Sequence, residues 1–285
     1  ILPNIAQNPD FQFQNAVSRI LYNNPRVVEL NDETLAKADL ATIERVYRQL
    51  FKNAGGATLR IVGNVDPEAI KPLVEKYIGS IAKGKKGTKV NQDNVMSLVK
   101  GEVDETVKLT METPKSTVIQ LYSAYMPVDT KTEVALEVAN YVLDMIYTKT
   151  IREEEGGTYG VGTAMVGQRS PEERVLIQVQ FDTNPEQAAK LRELAIKGLK
   201  DLAENGPELD KFNMAIENFK KNIPETRISN SYWMGNLSQY NDYGIDYDAE
   251  YEAAVNSVTP DDVKAVLQAV LAQNNLIEIT SAPQE

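Results

Sequence analysis

The sequence predicts an α+β fold, and three observations predict it. Strand-like segments come in adjacent pairs, "TVKLTMET" with "STVIQLYSAYMP" and "TYGVGTAMVG" with "RVLIQVQFDT", on either side of one long apolar helix. A run of helices then carries the chain to a single closing strand, "LIEITSAP". Finally, a cap, helix, turn and strand unit occurs twice, at an offset of 220 residues from Asp39 to Thr259. Strands in groups and helices in runs pack as separate layers around a shared core.

Each element has a local reason. In "DLATIERVYRQLFKNAGG", Asp39 is a candidate N-cap, and Leu40, Ile43, Val46, Tyr47, Leu50 and Phe51 form an apolar stripe at helical spacing. The glycines stop it, and "ATLRIVGNVD" then reads as a strand. "DPEAIKPLVEKYIGSI" follows as a helix, with Asp66 as cap and Pro67 in the first turn. Residues 83–105 lose periodicity and gather Lys, Gly and Asn, the composition of a linker.

After the first strand pair, "KTEVALEVANYVLDMIYTKTI" is apolar on more than one side and predicts a buried helix. In "RVLIQVQFDT", Val175, Ile177, Val179 and Phe181 alternate with polar neighbours, as in a half-buried strand. "NPEQAAKLRELAIKGLKDLAENG" ends at Asn205-Gly206, a helix stop, and "PELDKFNMAIENFKKNIP" carries Phe212, Ala215, Ile216 and Phe219 on one face. "TPDDVKAVLQAVLAQNN" has a Thr cap, Pro at the first helical position and two acids suited to the positive end of the helix dipole.

The repeat maps Ile43 to Val263, Val46 to Val266, Leu50 to Val270 and Phe51 to Leu271. Two extra residues in the first glycine turn then bring Ile61 near Ile279, and "FQFQNAVSRILYNNP" falls in register with "SYWMGNLSQYNDYG". The expected organisation is therefore the C-terminal part of a preceding unit over 1–82, a linker over 83–105, and one complete unit over 106–285. The chain opens Ile1-Leu2-Pro3 with neither Met nor a signal-like region, which reads as a processed chain or a piece of a longer one.

Composition excludes several functions. A formal net charge of −11 and a pI near 4.8 oppose nucleic acid or an anionic membrane as partner. No stretch approaches the roughly 18 apolar residues of a membrane helix. There is no cysteine, hence no disulfide, thiolate metal site or Cys nucleophile. There is no histidine either, so neither a Ser-His-Asp triad nor a His-based zinc site is built from this chain.

The stretch "IREEEGGTYGV" after the long helix, together with the element order around it, resembles the insulinase/pitrilysin family of zinc metallopeptidases, the inverted zincins with an H-x-x-E-H metal motif. "LRIVGNVDPEAIKPLVEKYIGSI" is similar to that family's recurrent strand, turn and helix. The resemblance covers nearly the whole chain. It implies an insulinase-like α+β domain with an antiparallel-rich mixed sheet packed against several helices, preceded by part of a homologous domain.

It also implies a role. Family members pair homologous domains into two halves around a chamber; the N-terminal half holds the zinc, and the C-terminal half contributes an arginine and a tyrosine seven residues apart. Arg152 and Tyr159 have that spacing. On the resemblance, Tyr159 is the catalytic hydrogen-bond donor, Arg152 with Gly156 and Gly157 binds substrate, and this chain ligates no metal. The zinc belongs to the parent enzyme and is bound upstream. The implied partners are a peptide substrate and a zinc-carrying N-terminal half, in the same polypeptide or another subunit. This piece alone is expected to be inactive. The first domain of such a half is here truncated on its N-terminal side.

From the residues alone, bland readings stand beside these. Tyr159 at a strand opening is also a packed aromatic, Arg152 before Glu153, Glu154 and Glu155 is also a solvated helix end with ion pairs of about 0–1 kcal/mol, and Gly156-Gly157 is also a plain turn. Ser231, Tyr232 and Trp233 read either as chamber lining or as helix packing. The alternative function is an inactive scaffold, peptide-binding or assembly module on the same fold. Lack of cysteine leaves the compartment open, and a periplasmic or otherwise exported location suits such a bacterial-type peptidase.

Overall fold

In the computed structural model, which describes residues 5–85 and 94–284, the predicted helices form where their caps and stripes place them. Helix α1 spans Pro9–Tyr22, α2 Asp32–Ala36, α3 Leu40–Phe51 and α4 Pro67–Tyr77. Asp39 and Asp66 cap α3 and α4 through their side chains, accepting from the Thr42 and Glu68 amides at 2.8 and 2.9 Å. Then come β1 (Glu102–Leu109), β2 (Ser116–Tyr125), α5 (Thr130–Tyr147), β3 (Val161–Gln168) and β4 (Arg174–Thr183). Five helices follow, α6 (Ala188–Asn205), α7 (Leu209–Thr226), α8 (Asn230–Tyr243), α9 (Tyr247–Ser257) and α10 (Pro260–Leu271), before β5 (Leu276–Pro283). Residues 86–93 of the predicted linker lie outside the described residues, and β1 opens at Glu102, within that segment.

The chain divides into two compact units, one of Ile1–Val27, Met96–Asn222 and Asp248–Glu285, the other of Val28–Val95 and Ile223–Tyr247. The first holds a five-stranded sheet in the order β1-β5-β2-β4-β3. β1 and β5 pair in parallel; β2 runs antiparallel to β5 and β4, and β3 antiparallel to β4. The sheet is thus the antiparallel-rich mixed one expected.

Strand alternation builds two cores on its two faces. Val118, Tyr122 and Ala124 of β2 and Val175, Ile177, Val179 and Phe181 of β4 point to one side, where α5, α6 and α10 bury their stripes. Ile119 and Leu121 of β2, Leu109 of β1, and Ile277 and Ile279 of β5 point to the other, where α1 supplies Phe13 and Val17. β2 is buried along almost its whole length, as a central strand covered on both faces should be. A polar cluster pins the start of α6 to the helix side of the sheet. Arg192 makes two hydrogen bonds to Asp104 at 2.8 and 2.7 Å, its Nε lies 3.2 Å from Glu278, and its carbonyl accepts from Gln120 at 3.0 Å.

The repeat reappears in the helix boundaries. α3 and α10 each have 12 residues, and the 220-residue offset maps one set of ends onto the other. Their caps correspond with the residue types exchanged: Asp39 accepts from the Thr42 amide, and Thr259 from the Asp262 amide. α1 and α8 each have 14 residues, and each ends in a left-handed C-cap, Asn23 at φ 40° and Gly244 at φ 75°.

The predicted strand over "ATLRIVGNVD" does not form: residues 57–62 have no regular structure. Its counterpart β5 is hydrogen-bonded along both edges. A strand has no hydrogen bonds of its own, so the same pattern without flanking strands stays irregular.

Candidate functional site

The segment singled out by sequence begins where α5 ends. The helix does not stop at Tyr147 but widens into a π-helical turn over Thr148–Glu153, closed by the Glu154 amide donating to the Lys149 carbonyl at 3.0 Å. Such turns are rare, and they are frequent at functional sites. Ile151 is wholly buried and anchors the turn in the core, while the next residue, Arg152, is exposed. Among the described residues Arg152 enters no ion pair. The local pairing expected of the glutamates goes elsewhere: Glu155 is bound by Lys190 of α6.

The two glycines have separate reasons to be glycine. Gly156 sits at φ +60°, a left-handed conformation that disfavours side chains, with open space where a Cβ would be. Gly157 is buried, and a Cβ there would meet Leu191 Cδ1 at 2.7 Å and Gln187 Oε1 at 3.1 Å. Its carbonyl accepts from Thr183 Oγ1 at 2.6 Å. The turn is therefore bolted to the first turn of α6 and the end of β4, the same α6 start that Arg192 holds to the sheet.

Tyr159 lies two residues before β3 rather than at its opening. Thr158 Oγ1 brackets it, donating to the Gly160 carbonyl at 2.9 Å and accepting from the Gly160 amide at 3.2 Å. The ring is fully exposed, at 101% of the reference value. The packed-aromatic reading of Tyr159 is thus not what this chain adopts. Among the described residues β3 pairs only with β4, at the edge of the sheet, so its other edge is open to a further strand. On the face opposite α5 and α6, Gly162 and Ala164 of β3 and Gln178, Gln180 and Asp182 of β4 line a shallow depression.

The structure therefore gathers Arg152, Gly156, Gly157 and Tyr159 on one anchored turn leading into an edge strand. Sequence reading missed the π-helical turn, which has no composition signal, and the roles of Thr183 and Gln187, which come from distant positions. Trp233 is half-exposed on α8 in the other unit, its indole nitrogen donating to the Arg227 carbonyl at 2.7 Å. No group of three acidic, histidine or cysteine side chains among the described residues is placed to hold a metal. No helix among them is long and apolar enough to cross a membrane.

Residues 37–219, well over half of the chain, match the family described as the peptidase M16 inactive domain. The chain belongs to that family. This M16 inactive domain is 29% identical over 171 residues to the probable zinc protease PqqL of Escherichia coli, an alignment covering 58% of the chain and 18% of PqqL. It superposes on the crystal structure of that periplasmic protease with a TM-score of 0.82 and 21% identity, covering 99% of this chain and 31% of the other. Against a peptidase M16 inactive domain from Pseudomonas fluorescens the TM-score is 0.77 and the identity 16%, covering 100% and 68%. The two structural likenesses establish the fold. The aligned part covers less than a fifth of the E. coli relative, and the superposed chain under a third of it.

Proposed function

We propose that this chain is the C-terminal, non-zinc part of a zinc endopeptidase, adding substrate binding and transition-state stabilisation to an active site whose metal and general base lie on an upstream half. One observation carries the reading: an arginine with no ion pair among the described residues and a fully exposed tyrosine stand on a turn that is itself firmly anchored. A solvated helix end needs no such anchoring, whereas a catalytic group has to be held in place.

Each residue then has a task. As water adds to the scissile carbonyl, negative charge grows on its oxygen, and the Tyr159 hydroxyl donates a hydrogen bond to it. Arg152 presents a planar fork of donors to a peptide carbonyl or carboxylate. Gly156 supplies the backbone reversal that turns the chain towards β3, and Gly157 admits the close approach of α6. The open edge of β3 gives an extended peptide a backbone to pair with. The sequence has no histidine, and no acidic cluster among the described residues fits a zinc ion, so on this reading the metal is assigned to the other half. The likeness in fold to a periplasmic protease supports an exported location.

The test combines this chain with a separately purified zinc half and follows cleavage of quenched fluorescent peptides. Tyr159→Phe is expected to lower kcat about 10²–10³-fold, the usual loss on removing one oxyanion donor. An unchanged rate removes Tyr159 from catalysis. A wild-type mixture that binds peptides without cleaving them points to the scaffold function.

A further inference from the structure

The turn that carries Arg152 and Tyr159 rests on a helix start that its own cap does not hold. The N-cap side chains of α1, α3, α4, α5 and α10 each accept a hydrogen bond from the first turn of their helix. At α6 the N-cap is Gln187, whose side chain makes no such bond. It is turned towards Gly157 instead, beside Leu191. A helix start without a cap has unsatisfied amides and is held by tertiary contacts or not at all.

Three successive residues of α6 supply those contacts. Lys190 binds Glu155 in the turn itself. Leu191 is wholly buried and forms the floor under Gly157. Arg192 faces the sheet: its guanidinium takes Asp104 of β1 and Glu278 of β5, while its carbonyl accepts from Gln120 of β2. Gln120 is wholly buried, and its amide nitrogen also donates to Glu278 at 2.9 Å. One residue thus ties α6 to β1, β5 and β2, and the turn that leads into β3, at the opposite edge of the sheet, is seated on the same helix start. A planar guanidinium holds two carboxylates at fixed angles, which a single ammonium does not do.

We propose that Arg192 is a positioning residue for Tyr159. It fixes the start of α6, and through the seat made by Leu191 and Gln187 it fixes Gly157 and the residues that follow. The two functional side chains then depend on it unequally. Arg152 comes before the seat and is set by its neighbour Ile151, wholly buried in the core. Tyr159 comes after the seat and is fully exposed, with the Thr158 hydroxyl bracketing its backbone. A loosened α6 start therefore displaces Tyr159 and spares Arg152. The kinetic consequence rests on the peptidase reading; the structural one does not.

Two variants test it. Arg192→Met removes the fork, and Asp104→Ala removes an exposed partner of that fork while Arg192 stays beside buried Glu278. In the 285-residue chain, backbone order parameters at residues 157–160 should fall from about 0.85 towards 0.6 in Arg192→Met and by less in Asp104→Ala, with those at 176–179 of β4 unchanged. Combined with the zinc half, Arg192→Met should lower kcat about tenfold to a hundredfold, the effect of a small misplacement of a catalytic group. KM should stay within about twofold, because Arg152 keeps its place. On a Tyr159→Phe background Arg192→Met should cost no further rate, since the group it displaces is already gone. A full further loss on that background, or a loss that falls on KM as much as on kcat, shows general damage to the fold and overturns the proposal. Unchanged order parameters at 157–160 in both variants overturn it as well. A wild-type mixture that cleaves nothing removes the peptidase reading alone, and the order parameters then decide whether Arg192 sets the turn.

Discussion

α3 and α10 carry the same pattern and meet opposite fates. Both are 12-residue helices with a side-chain N-cap and an apolar stripe in the same register. In α10, Val263 and Leu267 are 0% exposed and Val270 1%. In α3 the matching Ile43, Tyr47 and Leu50 are 55%, 62% and 68% exposed. Periodicity and capping thus decide that a helix forms and which way its apolar face looks. They do not decide whether that face is covered, because the cover is supplied by residues far away in sequence. Helices of this length are marginal by themselves in water, so α10 draws its stability from packing that α3 lacks.

Paired truncations sharpen this contrast most. Leu267→Ala removes a fully buried side chain from the core under β2, α5 and α6 and should cost about 2–5 kcal/mol in denaturant unfolding of the 285-residue chain. Leu50→Ala, two-thirds exposed on the matching stripe, should change the same midpoint by no more than about 0.5 kcal/mol. If the two cost the same, the stripe of α3 is packed in solution and the contrast fails.

A smaller effect is expected at the caps. The Thr259 hydroxyl accepts from the Asp262 amide and Asp262 reaches back to the Thr259 amide at 2.8 Å, a reciprocal box at the start of a buried helix. Thr259→Ala should lower global stability by about 1 kcal/mol. Asp39→Ala breaks the matching cap of α3, and it should fray that helix locally while leaving the global midpoint in place, since α3 adds little to it. Amide exchange at residues 42–46 and 262–266 separates local fraying from global loss.

What was legible in the sequence follows the same division. Valine, isoleucine and phenylalanine alternation in β4, the apolar run of α5 and the Thr-Pro-Asp-Asp start of α10 each encode their element within a few residues, and the structure has them. The parallel pairing of β1 with β5 joins residues 174 positions apart and leaves no local mark. "ATLRIVGNVD" has a strand's composition but none of the neighbours that make one, which is why it stays irregular. At the candidate site, Arg152 and Tyr159 drew attention through a family resemblance, since an arginine before three glutamates is ordinary surface chemistry. Their exposure, the π-helical turn and the seat of Gly157 under α6 depend on long-range packing, and no short window of sequence holds them.

The finest distinction between the two helices is in how their caps titrate. The cap of α3 is a carboxylate, and hydrogen bonds from the Thr42 amide and hydroxyl hold the Asp39 pKa below its ordinary 3.8. A group depressed in this way contributes stability above its ordinary pKa and loses it as the pH falls through the folded value. Asparagine caps about as well as aspartate and does not titrate there. Asp39→Asn should therefore match the wild type at pH 7 and retain the first turn of α3 when the wild type begins to lose it, below about pH 3.8. Backbone chemical shifts of residues 40–43, followed from pH 7 to pH 2.5, read that turn directly. The carboxylates the two proteins share titrate alike in both, so the difference between the curves belongs to position 39. Parallel curves would show that the Asp39 carboxylate is not what holds the start of α3.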